Sequence, residues 1–359
     1  MNTARIGILG FAHAHVGMYC DRWRQQEAQL GLQLVAGWDH DAVRLSGACE
    51  RWQLAAAASP AALLARPDVD AVVIAAETSM HADLVEQAAA AGKAIVLQKP
   101  LALTLAEADR IVAAVASAHV PFTLAWQMRV DPHNLEVKRL LAGGRFGKVL
   151  MARRRHCLST HLWKDFDKSW HVQPQLNRDI FADDAAHPAD FLYWLLGLPE
   201  SVSAEITTLL NPLIPNDNGI AVFRYPGGAL AEVSGTFVAV AGENNTEIVC
   251  ENGVIVGNYG DGVSCGIPRP PGGIQLKWYL KDEGKWTVSG LADITHHGER
   301  LAGLCGPIAE FLHGRRPPIA TAAEGRDVLK MVLASLDAAA QGRRVAIKSG
   351  SAPNLNLHI

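Results

Sequence analysis

Paired cysteines are missing from this chain. Its six cysteines, Cys20, Cys49, Cys157, Cys250, Cys265 and Cys305, form no CxxC pair and follow no regular spacing. Neither a disulfide framework nor a structural zinc site is indicated, and a reducing cytoplasm fits best. Long apolar runs are missing too, since none approaches the roughly 18 residues that a membrane span needs. The apolar start at residues 5–10 is too short, and too soon interrupted by histidines, to read as a signal peptide. Charge of one sign is scarce: 33 basic against 36 acidic side chains leave a formal net charge of −3, scattered along the chain. That removes the electrostatic footprint of a protein bound to nucleic acid or to an anionic membrane. Internal repeats and low-complexity linkers are also absent.

What is present is 359 residues, 49% hydrophobic and 19% charged. Such a chain is too long for one ordinary core and suits two folded units with a small-molecule partner. From residue 5 to 126, short β-type runs alternate with longer helical stretches. Strands are expected at 5–10, 32–39, 71–76, 94–98 and 121–126, with a weak one at 54–58, and helices at 81–91 and 105–118. Thr104 and Glu107 make a capping box for the second helix. Right-handed crossovers then give a doubly wound, Rossmann-type parallel sheet over residues 1–126.

Beyond residue 126 the texture changes, and residues 127–359 form a separate α+β unit. A helix is expected at 132–142 before Gly143-Gly144, a strand at 148–156, and a helix at 185–196 ending at Gly197. Short β segments fill 201–287, broken by Tyr225-Pro226-Gly227-Gly228, Glu251-Asn252-Gly253 and a Pro/Gly-rich stretch at 268–273, the mark of an antiparallel sheet. Helices at 301–313 and 323–340 close the chain.

The chemistry-bearing residues begin with the turn Gly10-Phe11-Ala12-His13-Ala14-His15, where a dinucleotide fingerprint belongs. Only its first glycine matches G-x-G-x-x-G. Its setting between strand and helix nonetheless offers free N–H groups and a helix dipole to a pyrophosphate, while a tight turn without ligand is the alternative. Asp39 ends the second strand, where an acid accepts hydrogen bonds from the adenine-ribose hydroxyls and repels a 2′-phosphate. This favours NAD, with NADP not excluded because Arg44 is near; a helix N-cap is the other reading of Asp39. Lys99 follows a strand at the carboxyl edge of the sheet, either in a ligand crevice or as a solvated surface lysine. His81 opens a helix, where a capping or surface role is its default. In the otherwise apolar stretch 179–196, Asp183 and His187 share a helical face with Asp190 beside it. They make either a catalytic pair or a structural Asp–His hydrogen bond. Pro188 must sit in the first turn of its helix or kink it. Several further histidines stand outside these motifs, among them His161 and His296. No metal is expected, because His13-x-His15 lacks spaced third and fourth ligands.

Taken in order, several motifs resemble the Gfo/Idh/MocA oxidoreductases, the family of glucose–fructose oxidoreductase and inositol dehydrogenase. They are the Gly10 turn, Ala75-Ala76-Glu77-Thr78-Ser79-Met80-His81, Gln98-Lys99-Pro100-Leu101-Ala102, Arg129-Val130-Asp131-Pro132, Gly144-Arg145-Phe146-Gly147-Lys148-Val149, and Asp183-Asp184-Ala185-Ala186-His187-Pro188-Ala189-Asp190 leading to Trp194-Leu195-Leu196-Gly197. The match spans nearly the whole chain. It implies an NAD(P)-dependent enzyme that transfers hydride at a carbinol carbon of a sugar, sugar derivative or polyol. It also implies an open, mostly antiparallel second sheet that binds substrate and makes a homodimer or homotetramer. The catalytic residues it implies are Lys99, to hold and polarise the oxygen, His187, as base, and Asp183, to orient them. Gly10, Phe11, Ala12, His13, Asp39, Ala76, Glu77, Thr78, His81, Gln98, Lys99 and Trp170 fall along the coenzyme. Lys99, Gln127, His156, His171, Asp183 and His187 fall around the substrate. Gln98 replaces the family's usual glutamate, Met128 stands where several sugar dehydrogenases carry arginine, and Asn177-Arg178-Asp179-Ile180 replaces a glycine-rich tract. Two alternatives keep the same fold: a non-catalytic nucleotide-binding sensor or regulator, and a glycosidase-like member that uses tightly held NAD.

Overall fold

The computed structural model describes residues 3–258, 272–294 and 297–347. Its first sheet is built from β1 (Ala4–Leu9), β2 (Leu32–Trp38), β3 (Ala55–Ala56), β4 (Ala71–Ile74), β5 (Ala94–Leu97) and β6 (Phe122–Leu124). Between them run α1 (His15–Leu30), α2 (Ala42–Trp52), α3 (Pro60–Leu64), α4 (His81–Ala90) and α5 (Leu105–Ala118). The strand order is β3-β2-β1-β4-β5-β6, and every pair is parallel. β4 is buried along its whole length, as expected of an unbroken apolar run covered on both faces. β1 pairs with both β2 and β4, so the connection order reverses there, and the crevice outside that reversal is where doubly wound sheets take ligands. Gly10 adopts φ +89°, and a Cβ on it would overlap the Ala76 backbone. The carboxyl ends of β1 and β4 therefore close together only because residue 10 has no side chain.

The second half contains α6 (Pro132–Ala142), β7 (Val149–Cys157), α7 (Pro174–Asn177), α8 (Ile180–Asp184), α9 (Ala186–Leu196), β8 (Ser201–Thr207), β9 (Asn218–Arg224), β10 (Leu230–Thr236), β11 (Asn245–Cys250), β12 (Gly253–Asn258), β13 (Leu276–Leu280), β14 (Lys285–Val288), α10 (His297–Ala302), α11 (Cys305–Leu312), α12 (Ala322–Gln341) and β15 (Val345–Ala346). Its nine-stranded sheet, β14-β13-β12-β11-β7-β10-β9-β8-β15, is antiparallel except where β7 meets β10. The anticipated turns at residues 225–228 and 251–253 join β9 to β10 and β11 to β12. The stretch 268–273 lies mostly, and Cys265 and His296 wholly, outside the described residues. Burial alternates along β9 and β10, with one face on the core beneath α9 and the other open to solvent.

One helix was expected at 301–313, but two form, α10 and α11, parted at Gly303-Leu304. Pro307, in the first turn of α11, has no N–H for the Gly303 carbonyl, so a continuous helix loses the bond that would bridge the break. The closing helices return to the first sheet's layer: the Trp23 indole donates to the Cys305 carbonyl at 3.3 Å, and α12 packs between α5 and α9. Among the described residues, no helix is long and apolar enough to cross a membrane.

Candidate active site

Lys99 leaves the end of β5 and is 3% exposed, so the solvated surface lysine does not hold. Its ammonium lies 2.7 Å from Asp183 Oδ1 and 3.9 Å from Asp184 Oδ1. The helical stretch carrying these acids is two helices. α8 ends on Asp184, Ala185 forms the joint, and α9 begins at Ala186 with Pro188 in its first turn, where a missing N–H does no harm. The joint turns Asp183 toward Lys99 while His187 faces Gln127, whose Nε2 is 3.4 Å from His187 Nε2. Asp183 and His187 thus do not make the structural Asp–His hydrogen bond that their spacing allowed; the partner of Asp183 is Lys99. Asp190 is not part of the group. It is fully buried and holds Arg129 at 2.7 Å, with Arg129 continuing to Glu324 at 2.7 Å.

Charge in the site is set by competition between burial and neighbours. Burial alone would lower the Lys99 pKa, but Asp183 and Asp184 outweigh it and the ammonium is kept charged. Burial would raise Asp184, yet Lys99 and His156 bring it down to about 2. His187 is pushed well below its ordinary range by burial and then by Lys99 and His156, so its imidazole is neutral at pH 7. Burial does the same to His13, His15, His156, His171 and His297, the last reaching about 3.

All these imidazoles, with Lys99, Gln127, Asp183, Asp184 and Trp170, line one cavity of about 630 Å³. Trp163, Phe166, Trp170 and His171 form an aromatic wall, with Trp170 and His171 stacked at 3.9 Å between centroids. Among the described residues, no three His, Cys, Asp or Glu side chains converge to hold a metal ion.

The coenzyme side is built on the Gly10 turn. α1 starts at His15 with no side-chain N-cap from Ala14 and no acid in its first turn; the His15 N–H meets His13 Nδ1 at 3.4 Å, and the Val16 and Gly17 N–H groups turn back to the His13 and Ala14 carbonyls. An uncapped terminus of a long helix beside a backbone cradle that any side chain would fill suits a pyrophosphate. His13 is anchored by its N–H to the Ala75 carbonyl at 2.9 Å, and the Trp170 indole donates to the Ala12 carbonyl at 3.2 Å. Asp39 departs from expectation in one respect. Its side chain is fully buried and already accepts from the Phe11 N–H (2.7 Å), the Asp41 N–H (2.8 Å) and Arg44 (2.9 Å). It is not the N-cap of α2, which is Asp41. Arg44 also reaches Glu77 at 2.8 Å, and Glu77 meets His40 at 3.0 Å, so Arg44 rather than Asp39 presents the more exposed group at this edge.

Three assigned residues turn inward and act as supports. His81 is fully buried, not at the surface, and its ring nitrogens meet the carbonyls of Pro100 (3.0 Å) and Ala76 (3.3 Å). Gln98 donates to the Tyr19 hydroxyl at 2.7 Å, and Thr78 to the Asn177 side-chain oxygen at 2.6 Å. These bonds fix the loops after β4 and β5 and so the position of Lys99. Sequence reasoning gave no role to Asp184, His297, Trp163 or Phe166. Asp184 had a signal, its place beside Asp183. His297 had none, because it reaches the cleft from a helix far along the chain.

A parallel sheet of this order, an uncapped helix over its reversal point and a buried cluster of acid–base groups define a two-domain, dinucleotide-dependent oxidoreductase. Residues 3–125 match the oxidoreductase family with an NAD-binding Rossmann fold, and residues 134–256 match the GFO/IDH/MocA C-terminal domain. An inositol 2-dehydrogenase of Gluconacetobacter diazotrophicus is 32% identical over 277 residues, 75% of this chain and 75% of that protein. A 1,5-anhydro-D-fructose reductase of Ensifer adhaerens is 26% identical over 80% of this chain and 83% of its own length. Among solved structures, a levoglucosan dehydrogenase in complex with NADH superposes with TM-score 0.81 over 97% of this chain and all of that one; at 20% identity this shows the fold alone. The chain belongs to the Gfo/Idh/MocA family of oxidoreductases.

Proposed function

We propose that this protein moves a hydride between NAD and one carbinol carbon of a sugar, sugar derivative or polyol, with Lys99, Asp183 and His187 as its catalytic group. The observation that carries the reading is the Lys99–Asp183 pair, 2.7 Å apart and buried beside a neutral His187 at the carboxyl edge of the sheet. Oxidation of an alcohol needs the hydroxyl proton removed as hydride leaves the carbon, and NAD bound along the Gly10 turn supplies the hydride acceptor. His187, uncharged and 3% exposed, takes the proton on its ring. Lys99 donates a hydrogen bond to the same oxygen and stabilises the charge that develops on it. Asp183 holds the ammonium in place and keeps it charged. In the reverse direction, protonated His187 returns the proton to the alkoxide. Gln127, His156 and His171 complete the substrate side, and Gly10 to His13 with Trp170 the coenzyme side.

The relatives named for inositol and anhydrofructose support a polyhydroxylated substrate. We assign residues 1–126 to the coenzyme and 127–359 to substrate binding and assembly as a homodimer or homotetramer through the open sheet face, in a cytoplasmic protein. Arg44, partly exposed where a 2′-phosphate would come, leaves NADP as a second coenzyme. The test is incubation of the purified protein with NAD, and separately NADP, against a panel of polyols and aldoses while reduced coenzyme is followed by absorbance. Reduction with at least one polyol is expected. Nucleotide binding without turnover of any glycoside or alcohol would favour a sensor. Activity on glycosides with retained NAD and no net reduction would favour the glycosidase-like alternative.

A further inference from the structure

Asp184 helps to keep the Lys99 ammonium charged, but the mechanism above gives it no contact with the substrate. Its Oδ1 lies 3.8 Å from His156 Nε2, 3.8 Å from His187 Nε2 and 3.9 Å from Lys99 Nζ, near three donors and in hydrogen-bond range of none. His156 is 4% exposed, and both its ring nitrogens lack a hydrogen-bond partner, as do Gln127 Oε1 and His187 Nδ1. Buried polar atoms are ordinarily paired, and so dense a group of unpaired ones facing a cavity points to a ligand that supplies the partners.

We infer that Asp184 and His156 form a clamp for a second substrate hydroxyl, the one next to the reacting carbinol, so that the enzyme selects vicinal diols. This rests on the reaction proposed above and adds to it the substrate class and the residue that reads it. The reacting oxygen occupies the space between Lys99 and His187. The neighbouring oxygen falls within hydrogen-bond distance of the first in a polyol, which brings it to the gap between Asp184 and His156. There the hydroxyl donates to Asp184 Oδ1, which lies 3.8 Å from both His156 and His187, and accepts from the His156 N–H. The second hydroxyl is unchanged in the reaction: hydride leaves the first carbon, and the proton of the first oxygen goes to His187. An analogue lacking the second hydroxyl would leave a half-buried carboxylate and a buried imidazole without that partner, which is the basis of strong rejection.

The probes are cis-1,2-cyclohexanediol and cyclohexanol, offered to the NADH-loaded protein and followed by ligand-observed NMR and, with NAD, by rate. The diol is expected to bind at least about 10²-fold more tightly than the mono-alcohol, the scale on which a site with unpaired polar groups discriminates. In Asp184→Ala the ratio of diol to cyclohexanol affinity should collapse toward one, a comparison that cancels any effect of the lost charge on Lys99 common to both probes. Asp184→Asn, which keeps one acceptor oxygen and the shape, should fall between. Equal binding of the two probes by the unmodified protein, failure to bind the diol, or a preference that survives Asp184→Ala would overturn the assignment. Retained diol preference in binding with no hydride transfer from any alcohol would instead strike the proposed reaction and leave the clamp standing.

Discussion

Lys99 and His187 are both buried and both proposed to touch the reacting oxygen, yet their removal should differ. Either Lys99→Ala or His187→Ala should lower kcat by about 10²–10⁴-fold, the scale of a lost general acid or base. Lys99→Ala also leaves Asp183 buried without its cation, so its melting temperature should fall further than that of His187→Ala, whose ring is neutral. Thermal melts of the two variants beside steady-state rates check this, and unchanged turnover in both would remove the assigned roles. That Lys99, Asp183 and His187 share one cavity was legible through the family resemblance, which ties together motifs that spacing alone left open. The partners of Asp183 and Asp190 were not. Helical spacing placed 183, 187 and 190 side by side, whereas the joint at Ala185 and the pull of Arg129 separate them. Spacing reports which residues share a turn, not which distant cation claims each carboxylate.

Elements, more than residues, were readable ahead of the structure. The limits of α5, its capping box and the strands of the first sheet follow from apolar periodicity and local caps, which are short-range. The nine-strand order was not readable, since it depends on pairings between residues far apart in the chain. Two predictions belong here. Gly10→Ala would set a methyl against the Ala76 backbone at φ +89°, pushing β1 and β4 apart, so nucleotide affinity measured by NADH fluorescence should fall at least tenfold along with stability. Arg129 is buried and braces α9 against the start of α12 through Asp190 and Glu324. Arg129→Ala, which strands the Asp190 charge, should cost about 3–5 kcal/mol in urea unfolding, while the rate per folded molecule changes little.

Across the whole molecule, the concentration of neutral imidazoles around one cleft ties stability to pH. His13, His156 and His187 are 3%, 4% and 3% exposed, and burial is the first cause holding each below its ordinary value of 6.5. Above that value neither folded nor unfolded chain carries these protons, and the histidines contribute no pH dependence. Below it the unfolded chain binds protons that the folded chain refuses, so stability falls as the pH drops from 6.5 toward the folded-state values. The slope is at most about 1.4 kcal/mol per pH unit for each histidine. Urea midpoints measured from pH 7.5 to 5.5 should decline below about 6.5, and His156→Gln should flatten the decline; a level profile would contradict the burial of neutral rings. The resemblance had already gathered His13, His156, His171 and His187 at the site, whereas His15 and His297 join the same cavity without having been assigned to it.

In the proposed reaction, hydride passes directly from a carbinol carbon to nicotinamide while Lys99, Asp183 and His187 hold the oxygen and take its proton. The most direct measurement is isotope transfer: the protein, NAD and a polyol deuterated on carbon, with the recovered coenzyme examined by NMR. One deuterium is expected at C4 of the nicotinamide, on a single face, and His187→Ala should slow its appearance by about 10²–10⁴-fold. Recovery of bound coenzyme without deuterium from every polyol tried would contradict it.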